Sequence, residues 1–81
     1  MITVTLYGKP GCHLCEEARE AIQAVRAERP FELREVDVSL DPGLHSRYGE
    51  RIPVVELGGD ELFEYHVDPA ALRERLDTVG S

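Results

Sequence analysis

The chain has 81 residues and a formal net charge of -7 at pH 7, so we expect a single domain over residues 1–81. Its acidic and basic residues are interleaved, and a net acidic chain is repelled by nucleic acid and by anionic membranes. Neither is therefore expected as a partner. No run approaches ~20 apolar residues, and no secretion signal precedes the first strand pattern, which favours a cytoplasmic location.

The first third of the chain predicts a strand, a loop and a helix. Residues 2–7 alternate apolar and hydroxyl-bearing side chains and are rich in β-forming residues. Residues 8–11 contain the breakers of a loop. From His13 to Glu28 apolar residues recur every three or four positions, which predicts an amphipathic helix that ends before Pro30. Its apolar face comprises Leu14, Ala18, Ala21, Ile22 and Val25.

The middle of the chain predicts a second strand and a short helix. Residues 31–38 alternate again, but the parity of the apolar positions changes at Val36. The strand therefore either contains a bulge or ends early. Residues 41–43 form a turn or a helix start, and residues 44–48 form a short helix that Gly49 ends.

The last third predicts a hairpin followed by a helix. Strands over residues 53–57 and 61–65 are joined by a Gly58-Gly59 turn. Asp68 and Pro69 then have the residue types of an N-cap and a first helical position. The buried stripe of this helix is expected to contain Leu72, Leu76 and Val79.

The predicted order of elements is β-α-β-α-β-β-α. A helical crossover between the first two strands implies a parallel pair with a right-handed connection. The last two strands form an antiparallel hairpin. The fold class is therefore α/β, with a four-stranded mixed sheet flanked by helices.

Two cysteines at the start of the first helix carry the chemistry. Cys12 lies where unpaired N–H groups and a partial positive charge stabilise a thiolate. Cys15 lies about one helical turn further on, so it reaches the same side. This spacing suits an exchange in which Cys12 attacks a disulfide and Cys15 releases the mixed disulfide.

Neighbouring residues modify that chemistry. A protonated His13 and the positive charge of Lys9 would both favour the thiolate, while Pro10 and Gly11 shape the loop. Stabilising the thiolate stabilises the reduced form and makes the disulfide more oxidising. A structural disulfide is not expected, because so short a loop adds little stability and cytoplasmic thiols are kept reduced.

A C-x-x-C motif also occurs in zinc sites, which need further ligands. The chain has no second cysteine pair and offers only His13, His45 and His66 in addition. Between a strand and a helix of a βαβ unit, the motif is typical of thioredoxin-like redox proteins. We therefore expect no metal, while cluster binding and an inert cysteine pair stay open as alternatives.

Two segments together carry a family resemblance. Residues 7–15 (Tyr-Gly-Lys-Pro-Gly-Cys-His-Leu-Cys) and residues 51–55 (Arg-Ile-Pro-Val-Val) resemble the two signatures of glutaredoxins and glutaredoxin-like proteins of the thioredoxin-like superfamily. The resemblance implies a cytoplasmic oxidoreductase of cell redox homeostasis that reduces protein or glutathione mixed disulfides. It implies a nucleophilic Cys12, a resolving Cys15 and a cis peptide bond before Pro53. Among the candidate substrate-binding residues, Lys9, Ile52 and Pro53 match positions of the family. We expect Pro10, Gly11 and His13, which lie beside Cys12, to contribute as well.

The chain departs from the family at two places. His13-Leu14 replaces the usual Pro-Tyr, and residues 64–68 (Glu-Tyr-His-Val-Asp) replace a Gly-Gly and acidic pair that binds glutathione. Tyr65 and His66 would crowd that position. No cofactor is expected apart from glutathione as a co-substrate, and the electron donor is either glutathione or a reductase-like partner. We expect a monomer that acts on disulfide-containing proteins or small molecules. The alternatives are an iron–sulfur cluster-binding module and a redox-inactive interaction domain.

Overall fold

The computed structural model of the protein describes residues 2–80, except for the side chains at 79 and 80. The burial predicted for Val79 therefore concerns a side chain outside the described part of the structure. The elements follow the predicted order: β1 Thr3–Gly8, α1 His13–Glu28, β2 Glu32–Asp37, a 3₁₀-helix Val38–Leu40, α2 Pro42–Tyr48, β3 Val54–Leu57, β4 Asp60–Glu64 and α3 Pro69–Gly80.

The four strands form one mixed sheet in the order β2-β1-β3-β4. β1 and β2 are parallel, whereas β3 is antiparallel to both β1 and β4. The fold class predicted from the sequence is thus confirmed. With this topology the end of β1, the start of β3 and the end of β4 lie at the same edge of the sheet. The cysteine loop, the residues before Val54 and the residues after Glu64 therefore meet there.

The main core packs α1 and α3 against one face of the sheet. It is built from buried aliphatic side chains and one aromatic ring: Val4, Leu6, Ala18, Ile22, Val25, Phe31, Val55, Leu57, Leu72 and Leu76. Alternation along β1 and β3 places their members on one face, since successive strand residues point to opposite sides. The predicted burial of Leu72 and Leu76 on α3 is confirmed.

A second cluster of buried apolar side chains contains Cys15. Its buried members are Cys15, Val38, Tyr48, Ile52 and Val54, with Tyr7, Cys12 and Leu44 packed against them. The buried face of α1 therefore begins at Cys15, whereas Leu14 and Ala21, predicted on that face, are only half-buried. The cluster thus contains residues from three separate segments of the chain, 7–15, 38–48 and 52–54. It lies at the edge of the sheet where β1 ends and the cysteines follow.

Capping side chains explain where the middle elements begin and end. β2 ends at Asp37, one residue before the predicted bound, because the Asp37 carboxylate accepts from the Ser39 N–H at 2.9 Å and starts the 3₁₀-helix. The parity change at Val36 lies inside the strand, where the pairing with β1 continues without a bulge. The register shift occurs instead between β3 and β4, at Val55 and Glu56. α2 begins at Pro42, since Asp41 accepts from two backbone N–H groups of its first turn.

Candidate active site

Cys12 is the N-cap of α1, and its thiol takes part in the cap. The backbone N–H of Cys15 donates to the Sγ of Cys12 at 3.3 Å. Cys12 is partly exposed and Cys15 is buried, and neither forms a disulfide. An N–H directed at a sulfur at a helix N-terminus stabilises its anionic form. The two thiols thus occupy unlike environments although they are one helical turn apart.

Burial raises the pKa of the Cys15 thiol from its ordinary value of 9.0 to about 11. Desolvation is the main cause, and the neighbouring Cys12 adds to it, while the Lys9 backbone amide opposes the shift. The space for this sulfur is made by Gly8, where an added Cβ would lie 2.9 Å from the Cys15 Sγ. Cys15 is therefore a protonated thiol at neutral pH.

The Ile52–Pro53 peptide bond is cis, as the sequence predicted. Ile52 and Pro53 are both buried, and Ile52 belongs to the cluster that holds the two cysteines. The Pro53 carbonyl accepts from the Tyr65 N–H at 2.9 Å. Within residues 2–80, neither the N–H nor the carbonyl of Ile52 has a hydrogen-bond partner. Across the described residues, Ile52 thus has an unpaired backbone N–H and carbonyl and belongs to the same apolar cluster as Cys12 and Cys15.

The other predicted substrate-binding residues fall into two places. Lys9, Pro10 and Gly11 line an open cavity of about 500 Å³ whose wall also includes Cys15. His13 is largely exposed, and its Nε2 lies 3.7 Å from the Glu17 carboxylate. Lys9, Pro10 and Gly11 thus line a cavity together with Cys15, whereas Ile52 belongs to the second apolar cluster. Their roles in binding stay predictions.

Tyr7 and Tyr48, which belong to the second apolar cluster, both contact the carboxylate of Glu56, and the sequence did not predict these contacts. The rings of Tyr7 and Tyr48 stack with centroids 4.3 Å apart. Both hydroxyls donate to the Glu56 carboxylate, at 3.2 Å from Tyr7 and 2.9 Å from Tyr48. Burial, with Glu56 as a further cause, raises the pKa of Tyr7 and raises that of Tyr48 to about 12. The signal available in the sequence was an acidic residue inside an otherwise apolar strand.

Further contacts fix the loop between α2 and β3. The Arg51 guanidinium pairs with Glu61 and Glu64 at 3.0 and 3.3 Å and lies over the Tyr48 ring. The Tyr65 hydroxyl donates to the Glu50 carbonyl at 3.2 Å. The segment that carries Ile52 is therefore tied to β4 and to the residues that follow it.

Across residues 2–80, no three His, Cys, Asp or Glu side chains form a group suited to a metal ion. In the same range, no helix is both long and apolar enough to cross a membrane. His45 and His66, considered above as ligands, are exposed on different segments.

The fold defines the class of proteins to which the chain belongs, and comparison with a solved structure identifies it. A mutant thioredoxin from Halobacterium salinarum superposes on it with a TM-score of 0.69 at 20% sequence identity, covering 95% of this chain and 73% of that chain. The structure thus has the thioredoxin fold. Residues 3–77 match the glutaredoxin-like domain family (DUF836), and the chain belongs to that family. The resemblance drawn from the sequence is thereby confirmed.

Relatives in the same size range support this assignment. The uncharacterized protein Rv0508 of Mycobacterium tuberculosis is 33% identical over an alignment of 85 positions, which covers 96% of this chain and 88% of that protein. The crystal structure of protein XcR50 from X. campestris has a TM-score of 0.78 and 37% sequence identity, covering 93% of this chain and 96% of that chain. A redox-type role follows from the family and the fold.

Proposed function

We propose that the protein is a dithiol oxidoreductase that reduces disulfides of proteins or small molecules through Cys12 and Cys15. The observation that carries this proposal is the asymmetry of the two thiols. Cys12 is partly exposed at a helix N-cap and receives an N–H, whereas Cys15 is buried with a raised pKa. In such a pair, the accessible sulfur is suited to attack a substrate disulfide, and the buried sulfur is suited to react after it.

The reaction is a two-step thiol–disulfide exchange. The Cys12 thiolate attacks a substrate disulfide, forms a mixed disulfide with one substrate sulfur and releases the other as a thiolate. Cys15 then loses its proton and attacks the Cys12 sulfur, which forms the Cys12–Cys15 disulfide and releases the second substrate thiolate. Two electrons pass from the protein to the substrate. Two external thiols, from two glutathione molecules or from the dithiol of a reductase-like protein, must then reduce the Cys12–Cys15 disulfide and are themselves oxidised to a disulfide.

The second step requires Cys15 to lose its proton, although burial, the main cause, and the neighbouring Cys12 raise its pKa. Before attack, a neutral thiol next to the Cys12 sulfur avoids placing two negative charges at adjacent sites. Once Cys12 is in a mixed disulfide, its negative charge is gone and that repulsion disappears. The first step therefore facilitates deprotonation of Cys15, which favours the order Cys12 then Cys15.

The Ile52–Pro53 segment supports the docking of a protein substrate. The free N–H and carbonyl of Ile52 lie in the cluster with both cysteines. Unpaired backbone groups of this kind bind an extended peptide by strand-like hydrogen bonds. A substrate segment paired with Ile52 would bring its own cysteine close to Cys12.

Single serine variants test the proposal with two substrates, hydroxyethyl disulfide and insulin. We expect Cys12→Ser to abolish turnover of both, and Cys15→Ser to accumulate a mixed disulfide. Ala24→Ser, at an exposed position of α1, controls for the effect of serine on the helix and keeps full activity. Full activity of Cys12→Ser, with folding verified by circular dichroism, would show that the assignment is wrong.

A further inference from the structure

Tyr65 has a backbone conformation that is unusual for its residue type. Its φ is 69°, and it is the one non-glycine residue with positive φ within residues 2–80. This left-handed region is uncommon for bulky side chains, which persist there only where their surroundings hold them. A glycine would adopt the same backbone without steric cost. The contacts of Tyr65 must therefore explain why a tyrosine is tolerated.

Two hydrogen bonds from Tyr65 reach the two ends of one short segment. Its backbone N–H donates to the Pro53 carbonyl at 2.9 Å, which extends the β3–β4 ladder by one pair. Its hydroxyl donates to the Glu50 carbonyl at 3.2 Å. The left-handed backbone is what allows one residue to make both bonds, because it turns the chain at the end of β4. Tyr65 thus spans residues 50–53.

The segment held in this way contains the free backbone groups of Ile52. Tyr65 makes no bond to Ile52 itself, so within residues 2–80 those groups keep no hydrogen-bond partner. Residues 50–53 are also held by Arg51, whose N–H donates to the Tyr48 carbonyl at 2.8 Å and whose guanidinium makes two bonds to the Glu61 carboxylate and one to Glu64. These ion pairs are exposed, so salt screens them. The Tyr65 hydroxyl is thus a neutral anchor that salt does not screen.

We propose that Tyr65 is a positioning residue that fixes residues 50–53 so that Ile52 can pair with the extended backbone of a protein substrate. This inference rests on the proposed function and adds to it the residue that positions Ile52 for disulfides carried on an extended polypeptide. A small disulfide has no backbone to pair with Ile52. Its turnover depends on the two cysteines and is independent of Tyr65.

The test compares kinetics of Tyr65→Phe and the wild type on insulin and on hydroxyethyl disulfide. Tyr65→Phe removes only the bond to the Glu50 carbonyl and keeps the ring. We expect KM for insulin to rise about fivefold, the effect of one neutral hydrogen bond, with kcat unchanged. The kinetics with hydroxyethyl disulfide stay the same. An equal change with both substrates, or no change with either, would overturn the inference.

Tyr65→Gly separates positioning from simple stabilisation of the fold. This variant relieves the left-handed backbone and removes the ring, so its stability is expected to change little, while KM for insulin rises at least as much as in Tyr65→Phe. A structural role would instead make KM follow the loss of stability. Backbone amide relaxation of Arg51 and Ile52 gives a readout without turnover, and we expect more motion in Tyr65→Phe. Unchanged relaxation would contradict the proposal.

The outcomes also distinguish this inference from the proposed function. A wild-type protein that reduces neither substrate removes the oxidoreductase proposal, and the substrate-docking role of Tyr65 falls with it. A wild-type protein that reduces both, with Tyr65→Phe identical to it, removes only the role of Tyr65.

Discussion

The backbone N–H of Cys15 donates to the sulfur of Cys12 at 3.3 Å, so the sulfur proposed to act first caps the helix that carries the second. The bond joins the two residues of the motif before any disulfide forms. It also holds Cys15 in the first turn of α1, where its own side chain is buried. One local interaction thus caps α1 with the Cys12 sulfur and fixes Cys15 in the turn where its thiol is buried.

The unlike thiols predict selective alkylation of the reduced protein. At pH 8 iodoacetamide is expected to modify Cys12 and leave Cys15 intact, because Cys15 is buried and its pKa is raised to about 11. Modification of Cys15 should begin only as the pH approaches that value. Peptide mass mapping of each cysteine against pH measures this, and equal labelling at pH 8 would contradict it.

The raised pKa of Cys15 also predicts a pH dependence of stability. The folded chain keeps the Cys15 proton up to about pH 11, whereas the unfolded chain loses it above the ordinary value of 9.0. The folded state therefore binds more protons in this interval. Its stability is fully present below pH 9.0 and falls as the pH rises towards 11, by at most about 1.4 kcal/mol per pH unit.

Urea unfolding of the reduced protein between pH 8 and 11 measures this effect. Cys15→Ser, which does not titrate there, serves as the control and should lose less stability over the same range. Tyr48 titrates in the same direction at higher pH, since its pKa is raised to about 12, and it contributes equally to both proteins. Parallel curves for the wild type and Cys15→Ser would show that the Cys15 shift is absent.

Close packing at Gly8 predicts a steric effect on the motif. In Gly8→Ala the new Cβ would lie 2.9 Å from the Cys15 sulfur, so the free energy of unfolding is expected to fall by about 1–3 kcal/mol. The same change in a Cys15→Ala background should cost less, because the sulfur is gone and only the Cys15 Cβ, at 3.2 Å, remains close. Denaturant unfolding of the four proteins gives the coupling. Equal costs in both backgrounds would exclude a direct clash.

The shared carboxylate of Glu56 predicts a coupled effect on two tyrosines. Glu56→Gln replaces a charged acceptor with a neutral one and should lower the free energy of unfolding by about 1–2 kcal/mol. The pKa of Tyr48 should fall from about 12 towards its ordinary value of 10.0 but stay above it, because burial is the larger cause. Ultraviolet titration of the tyrosines measures this change.

Glu20→Gln is the matched control for that experiment. Glu20 is exposed on α1 and has no polar contact with either tyrosine, so the same change in net charge should leave the Tyr48 titration unmoved. A shift of equal size in both variants would mean that the overall charge, and not Glu56, sets the pKa of Tyr48.

Much of this fold could be predicted because local signals agree with tertiary packing. Apolar periodicity predicted α1, and Asp68 followed by Pro69 predicted the start of α3. In the structure the Asp68 carboxylate accepts from the Ala70 N–H at 3.0 Å. The Gly58-Gly59 turn, with both glycines at positive φ, gave the hairpin. Each of these depends on residues within a few positions of one another.

Contacts between distant residues could not be predicted in the same way. Tyr7 and Glu56 are 49 positions apart, and only the pairing of β1 with β3 brings them together. Similarly, nothing near Tyr65 indicates that its hydroxyl reaches Glu50, although its crowding of the site after β4 was expected. The predicted cis bond at Pro53 came from a family signature, and its neighbours in space became visible only with the fold.

The order in which the cysteines act is tested most directly by trapping the intermediate. Reduced Cys15→Ser and Cys12→Ser are each mixed with a disulfide-containing protein such as insulin, and any adduct is mapped by peptide mass. We expect a stable mixed disulfide on Cys12 in Cys15→Ser and no adduct in Cys12→Ser at neutral pH, since Cys15 is buried and protonated. An adduct on Cys15 that forms as fast in Cys12→Ser would contradict that order.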